Sequence, residues 1–215
     1  MDKVTYALDT IAALPGADLT VARHSLAATG ARANALPLTI DSANRFSDET
    51  ASLSTGYFGG GMDSGFNNLS TMDKVTYSTD TTAAAPGANL SVARVYLAAT
   101  GNSTAGYFGG GSPGPTSLMD KVTYSTDLTA ALPSTGALSV GRSHIAATGN
   151  STAGYFGGGP GSPYRMSTMD KITYSTDTTS YVPGANLTVA RAELAASSAR
   201  ANGLSQPIAA VLNNV

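Results

Sequence analysis

Few side chains of this 215-residue chain are suited to chemistry, and most of those recur with the period of a repeat. Arginines stand at Arg23, Arg94, Arg142 and Arg191, and an Asp–Lys pair begins at Asp2, Asp73, Asp120 and Asp170. Such a ring of cations suggests anion binding, but a residue that repeats makes a contact that repeats. A guanidinium carries five donors in a fixed fork and can bridge several carbonyls of an adjacent sheet, so the arginines are read as structural. The two histidines are not equivalent: His144 aligns with Ser25, and His24 with Ser143. A metal site needs converging ligands with a supporting shell, which two staggered histidines do not supply. His144 is read as a packing residue, and no metal or other cofactor is expected.

Function is expected where the repeats differ. Two places do. One is the residue before each "LAA"-type segment, namely Ser25, Tyr96, His144 and Glu193, which could together form a polar, asymmetric pocket. The other is the loop between each triple glycine and the following "MDK", at 62–71, 112–118 and 160–168. It carries Phe66, Tyr164 and Arg165, side chains that anchor interfaces or stack on sugars. Loops on a rigid scaffold are natural binding surfaces.

Enzyme chemistry finds little to use. The absence of cysteine removes thiol nucleophiles, zinc–thiolate sites and disulfides together. No phosphate loop occurs, and Asp41, Asp48, Glu49 and Asp63 are scattered carboxylates without a frame. Charged residues make up 12% of the chain and its formal net charge is −2, so no basic stripe invites nucleic acid. No apolar run approaches the roughly 18 residues that span a bilayer, and no membrane insertion is expected. The first residues lack a basic-then-apolar signal pattern. An extracellular setting is then reached within a larger chain, by another route, or in a virion.

The elements that position these residues form a repeat of about 48 residues. "MDKVTY" or "MDKITY" begins at Met1, Met72, Met119 and Met169, in steps of 71, 47 and 50 residues, the first enlarged by an insertion. "GNSTAGYFGGG" occurs identically at Gly101–Gly111 and Gly149–Gly159, with a looser copy ending at Gly61. Val75 and Tyr77 alternate with Lys74 and Thr76, a period of two that predicts a strand. Tyr107 and Phe108 then point to opposite faces, so this sheet wants another on each side. The glycines end the strand, and Asn102 and Asn150 are placed in the tight turn before it. Four short strands per unit predict an all-β chain of radial blades, a β-propeller.

The order Arg–"LAATGN"–"GYFGGG"–"VTYSTD"–"AALP" resembles the kelch repeat over nearly the whole chain. The resemblance implies a single kelch-like propeller domain over 1–215, with "LAATG" as inner strand and "TAALP" as outer strand. The usual kelch tryptophan is missing; Ala84, Ala131 or a neighbour stands there, which implies a thinner outer strand. Complete blades are expected at 20–86, 91–133 and 139–183. A fourth is split between 1–19 and Leu187–Ser197, with "SQPIAAVLNNV" as a further strand. About four blades then close on themselves, or the chain is a segment of a larger propeller or array, as the echo of "ARANAL" (31–36) in "ARANGL" (199–204) suggests.

The kelch-like copper oxidase site needs a cysteine, so that role does not carry over. The words "ARANAL" and "GYFGGG" also resemble repeats in long proteins of marine phages and cyanobacteria. That likeness implies a non-enzymatic structural or recognition module of a phage tail fibre or surface assembly, extracellular or on a virion, binding host-surface glycan or protein through its loops. The alternatives are a self-assembling surface filament or protein-interaction scaffold with copies of itself as partner, and, remotely, a small-molecule enzyme using a central channel.

Overall fold

The computed structural model describes residues 2–5, 10–13, 15–30, 55–161 and 164–198. The described chain is all-β, with helix confined to single 3₁₀ turns at Pro15–Ala17, Pro86–Ala88, Ser134–Gly136 and Pro183–Ala185. A two-stranded sheet, β1 (Asp2–Thr5) and β2 (Thr10–Ala13), comes first. Three four-stranded antiparallel sheets follow, each with its strands in chain order. The first holds β3 (Ala27–Gly30), β4 (Thr55–Gly59), β5 (Met72–Thr76) and β6 (Thr81–Ala84). The second holds β7 (Ala98–Gly101), β8 (Ala105–Gly109), β9 (Met119–Thr123) and β10 (Leu128–Ala131). The third holds β11 (Ala146–Gly149), β12 (Ala153–Gly157), β13 (Met169–Thr173) and β14 (Thr178–Tyr181).

The four strands of each complete unit therefore lie in the expected order. Asn102 fills its expected turn, its side-chain oxygen accepting from the Thr104 and Ala105 amides at 2.9 and 3.0 Å; Asn150 repeats this with Thr152 and Ala153 at 2.8 and 2.9 Å. The last strands of the three sheets, β6, β10 and β14, are largely exposed.

β7 lies between β3 and β11, so the sheets pack side by side with two cores between them. Period-two alternation builds both. Tyr57 and Met72 of the first sheet meet Phe108, Val122 and Tyr124 of the second. Tyr107 and Met119 of the second meet Phe156, Ile172 and Tyr174 of the third. The central aromatic pair thus splits, Tyr107 toward the following sheet and Phe108 toward the preceding one. Gly106 precedes the tyrosine because a Cβ there would stand 2.9 Å from the Tyr124 hydroxyl. In the triple glycine, Gly110 has φ +70° and Gly111 φ +113°, backbone that disfavours a side chain.

Polar joints reinforce both cores. Tyr57 and Tyr124 stack at 5.2 Å, and Tyr107 and Tyr174 at 4.9 Å. Asp127, in the β9–β10 turn, accepts from the Tyr57 hydroxyl and from Lys74 Nζ at 2.9 and 2.8 Å. Asp177 does the same for Tyr107 at 2.5 Å and Lys121 at 2.7 Å. Burial acts to raise the Asp127 pKa, but its bonds from Lys74 and Tyr57 outweigh this and hold it below the ordinary value.

The repeated arginines are structural in the geometry, with one correction. Arg23, Arg94 and Arg142 bridge carbonyls of their own unit's sheet, not of an adjacent one, whereas Arg191 is exposed. Arg94 donates to the carbonyls of Gly110 (2.7 Å) and Leu118 (3.1 Å) and pairs with Asp120. Arg142 binds Gly158 (3.2 Å), Thr168 (2.6 Å) and Asp170 in the same way. Arg23 reaches Thr71 O (3.1 Å), Phe58 O (3.0 Å) and Asp73 (2.8 Å). The link to the neighbouring unit runs through the backbone: Gly61 N donates to Arg94 O and Gly111 N to Arg142 O, each at 2.9 Å.

The two halves expected to share a fourth blade are not joined into one sheet among the described residues. β1 and β2 pair only with each other, and 187–198 forms no strand. The insertion with Asp41, Asp48 and Glu49, the two "ARAN" words and "SQPIAAVLNNV" lie outside the described residues.

Candidate functional site

The structure brings Ser25, Tyr96, His144 and Glu193 together. They line one open cavity of about 340 Å³, with Leu26, Leu97 and Ile145 as its apolar lining. That volume falls at the lower end of the roughly 300–1,000 Å³ range of small-molecule sites. The four residues come from four successive units, each just before or at the level of an inner segment.

Their backbone explains the convergence. All four have positive φ, at 55°, 59°, 49° and 56°. The turn carries the chain into the inner segment and hands a hydrogen bond from unit to unit. Tyr96 N donates to Ser25 O (2.9 Å), His144 N to Tyr96 O (2.8 Å) and Glu193 N to His144 O (3.1 Å). Left-handed backbone costs an L-residue roughly 1–2 kcal/mol, and glycine would relieve it. This chain instead places a hydroxyl, a phenol, an imidazole and a carboxylate there.

Tyr96 and His144 stack with ring centroids 3.7 Å apart and planes 18° from parallel. His144 Nδ1 also lies 3.1 Å from Ser143 Oγ. The expected packing histidine therefore packs, but on the cavity wall. His24 is exposed, with Nδ1 2.9 Å from Ser25 Oγ, and is not among the lining residues. Among the described residues no three His, Cys, Asp or Glu side chains converge as a metal site would require.

The variable loops emerge at the same edge. Ala27, Gly59 and Met72 are register partners, as are Ala146, Gly157 and Met169. Inner strands therefore begin where the β4–β5 and β12–β13 loops leave and return. Backbone bonds tie each loop to the residue before the cavity position: Met62 N to His24 O at 2.9 Å, and Ser143 N to Pro160 O at 3.3 Å. Phe66 is 81% exposed and Tyr164 79%; Arg165 is exposed beside it. The seven site residues read from sequence thus form two groups on one edge, four at a cavity and three on the loops, the aromatics Phe66 and Tyr164 with Arg165.

Sequence reading missed the device that holds Phe66. Asp63 Oδ1 accepts from the amides of Gly65 and Asn67, each at 2.9 Å, and Asn67 Nδ2 reaches both carboxylate oxygens at 3.2 and 3.1 Å. The Asn67 bonds, amide first, pull the Asp63 pKa below its usual value. Phe66 itself has φ +62° and donates its amide to Asp63 O at 3.1 Å. The run "MDSGFNN" carried the signal, since Asp, Gly and Asn are the residues that build side-chain-to-backbone turns. Neither family models nor curated proteins give a match to this chain.

Proposed function

We propose that the chain is a non-enzymatic recognition module, a kelch-like propeller of an extracellular or virion-borne appendage, that binds a host-surface glycan or protein with the edge carrying the cavity and the variable loops. One observation carries this reading. The residues that differ between otherwise equal units gather on that edge, four in one cavity and two aromatics beside it. The side-by-side packing of three four-stranded sheets, with inner strands adjacent, supports the propeller.

The chemistry suits a hydroxyl-rich ligand. Phenol, imidazole, hydroxyl and carboxylate supply donors and acceptors over an apolar lining, and exposed aromatic rings offer flat faces for sugar stacking. Glu193 is the single carboxylate among the lining residues, whereas glycoside hydrolysis uses two flanking the bond. The test is a glycan array, followed by titration calorimetry on its best ligand. Loss of at least tenfold in affinity in both Tyr96→Ala and Phe66→Ala is expected. Binding that survives both changes would sink the reading.

A further inference from the structure

We infer that the open side of the third sheet, carrying Tyr155, Met169, Lys171 and the neighbouring Arg191, binds the β1–β2 hairpin of a second copy of this protein. The surface is a sheet side rather than the edge where the strands begin, so the inference does not rest on the recognition reading.

Two occupied copies of this side show what it takes. Tyr57, Met72 and Lys74 of the first sheet receive Tyr124 and Asp127 of the second; Tyr107, Met119 and Lys121 of the second receive Tyr174 and Asp177 of the third. At each joint the arginine that follows the receiving sheet closes on an aspartate of the answering sheet, Arg94 on Asp120 and Arg142 on Asp170. The ligand set in both is thus an Asp, a Tyr four residues on and an Asp seven residues on, displayed by a hairpin.

Among the described residues, the third sheet repeats the receiving half without the answering half. Tyr155 and Met169 are half-buried where Tyr57, Tyr107, Met72 and Met119 are buried. Leu187 and Leu194 are half-buried where Leu90, Leu138, Leu97 and Ile145 are buried. Arg191 is exposed, and neither it nor Lys171 makes an ion pair among the described residues. The Arg191 backbone is nevertheless in its repeat position, its carbonyl accepting from Gly159 N at 2.8 Å. Two cations and an apolar strip are therefore set out in the arrangement that elsewhere meets two aspartates and a tyrosine.

The chain holds two further Asp/Tyr/Asp sets with that spacing: Asp73, Tyr77 and Asp80 of the first sheet, where Asp73 already pairs with Arg23, and Asp2, Tyr6 and Asp9. The strands of the β1–β2 hairpin are in the same register as the answering hairpins. Asp2 is opposite Ala13, as Asp120 is opposite Ala131 and Asp170 opposite Tyr181. Within the chain this hairpin belongs to the far side of the stack. The turn that follows it packs on β6 of the first sheet, where Thr82 Oγ1 donates to Ala17 O at 2.7 Å. A hairpin from a second copy matches the open side in charge and continues an interface already made twice.

Light scattering coupled to size exclusion over a dilution series tests this. The unaltered chain is expected to give dimers or longer assemblies that dissociate on dilution. Arg191→Asp alone and Asp2→Arg alone should each weaken association roughly tenfold or more, while mixing the two variants restores it, since the first still offers Asp2 and the second still offers Arg191. Lys171→Glu is expected to weaken association as well. Circular dichroism melts confirm that each variant folds. Two results overturn the inference. One is a concentration-independent monomer. The other is an association that Arg191→Asp leaves unchanged.

Discussion

The joints between sheets and the edge that carries the cavity are built on equally regular backbone, yet they use it in opposite ways. At the joints the side chains repeat with the backbone, so that the Tyr57–Tyr124 and Tyr107–Tyr174 stacks differ by only 0.3 Å (5.2 against 4.9 Å). At the edge four equivalent residues share a left-handed φ while their side chains are all different. What separates them is the neighbour. A joint residue must fit another sheet of the same design, so its identity is fixed twice over. An edge residue meets the cavity and is free to specialise. Tyr77 shows the same rule inside one repeat position: it is 43% exposed, whereas Tyr124 and Tyr174, each facing a full sheet, are 4% and 6% exposed.

The comparison breaks hardest at the arginines. Arg142→Ala removes one partner of a fully buried pair and leaves the Asp170 carboxylate without its cation. Such an uncompensated charge costs about 3–5 kcal/mol, a large share of the stability of a domain this size. Urea unfolding should show the midpoint falling steeply with little change in slope. A loss below about 1 kcal/mol would mean that the third unit does not depend on this buried pair.

Tyr96→Gly sharpens the contrast from the other side. Removing the side chain relieves left-handed strain of roughly 1–2 kcal/mol and forfeits a stack on His144 of about 0.5–1.5 kcal/mol. The net change in unfolding free energy should lie within about 1 kcal/mol of zero. A large destabilisation would show that Tyr96 is part of the framework, and that its difference from Ser25, His144 and Glu193 is incidental.

The repeat was legible because its signals are local. Alternation placed the strands, the split of Tyr107 from Phe108 required a sheet on each side, and Asn102 and Asn150 sit at the turns their side chains favour. The arginines were legible as structural, but not the sheet they serve. Arg94 and Asp120 lie 26 residues apart, and no periodicity links them. Their meeting depends on how the segment before β7 folds back over the β8–β9 edge. The link from Lys74 to Asp127 spans 53 residues and is invisible for the same reason. The cavity set could be guessed from variation between units, but its left-handed backbone could not. Ser, Tyr and Glu are not residues that announce a positive φ, and of the four only His is enriched there.

The smallest effect on stability belongs to the loop that presents Phe66. Asp63 is at the surface, so Asp63→Ala should leave the unfolding midpoint where it was. The local consequence is another matter, because the carboxylate holds the amides of Gly65 and Asn67 together. Without it those amides should exchange with solvent faster, while the β4 and β5 amides keep their protection. Acid should act in the same direction. The Asp63 pKa is lowered in the folded loop, chiefly by the Asn67 bonds. The order these bonds give is therefore fully present above the ordinary carboxylate pKa, and it is lost as the pH falls through the lowered folded value. Amide shifts of Gly65 and Asn67, followed by NMR down the acid range, should titrate together with that below-normal midpoint. A midpoint at or above the ordinary carboxylate value would mean that the loop does not rest on Asp63. Phe66 would then be displayed by its backbone alone, and the edge would lose its claim to a prearranged aromatic anchor.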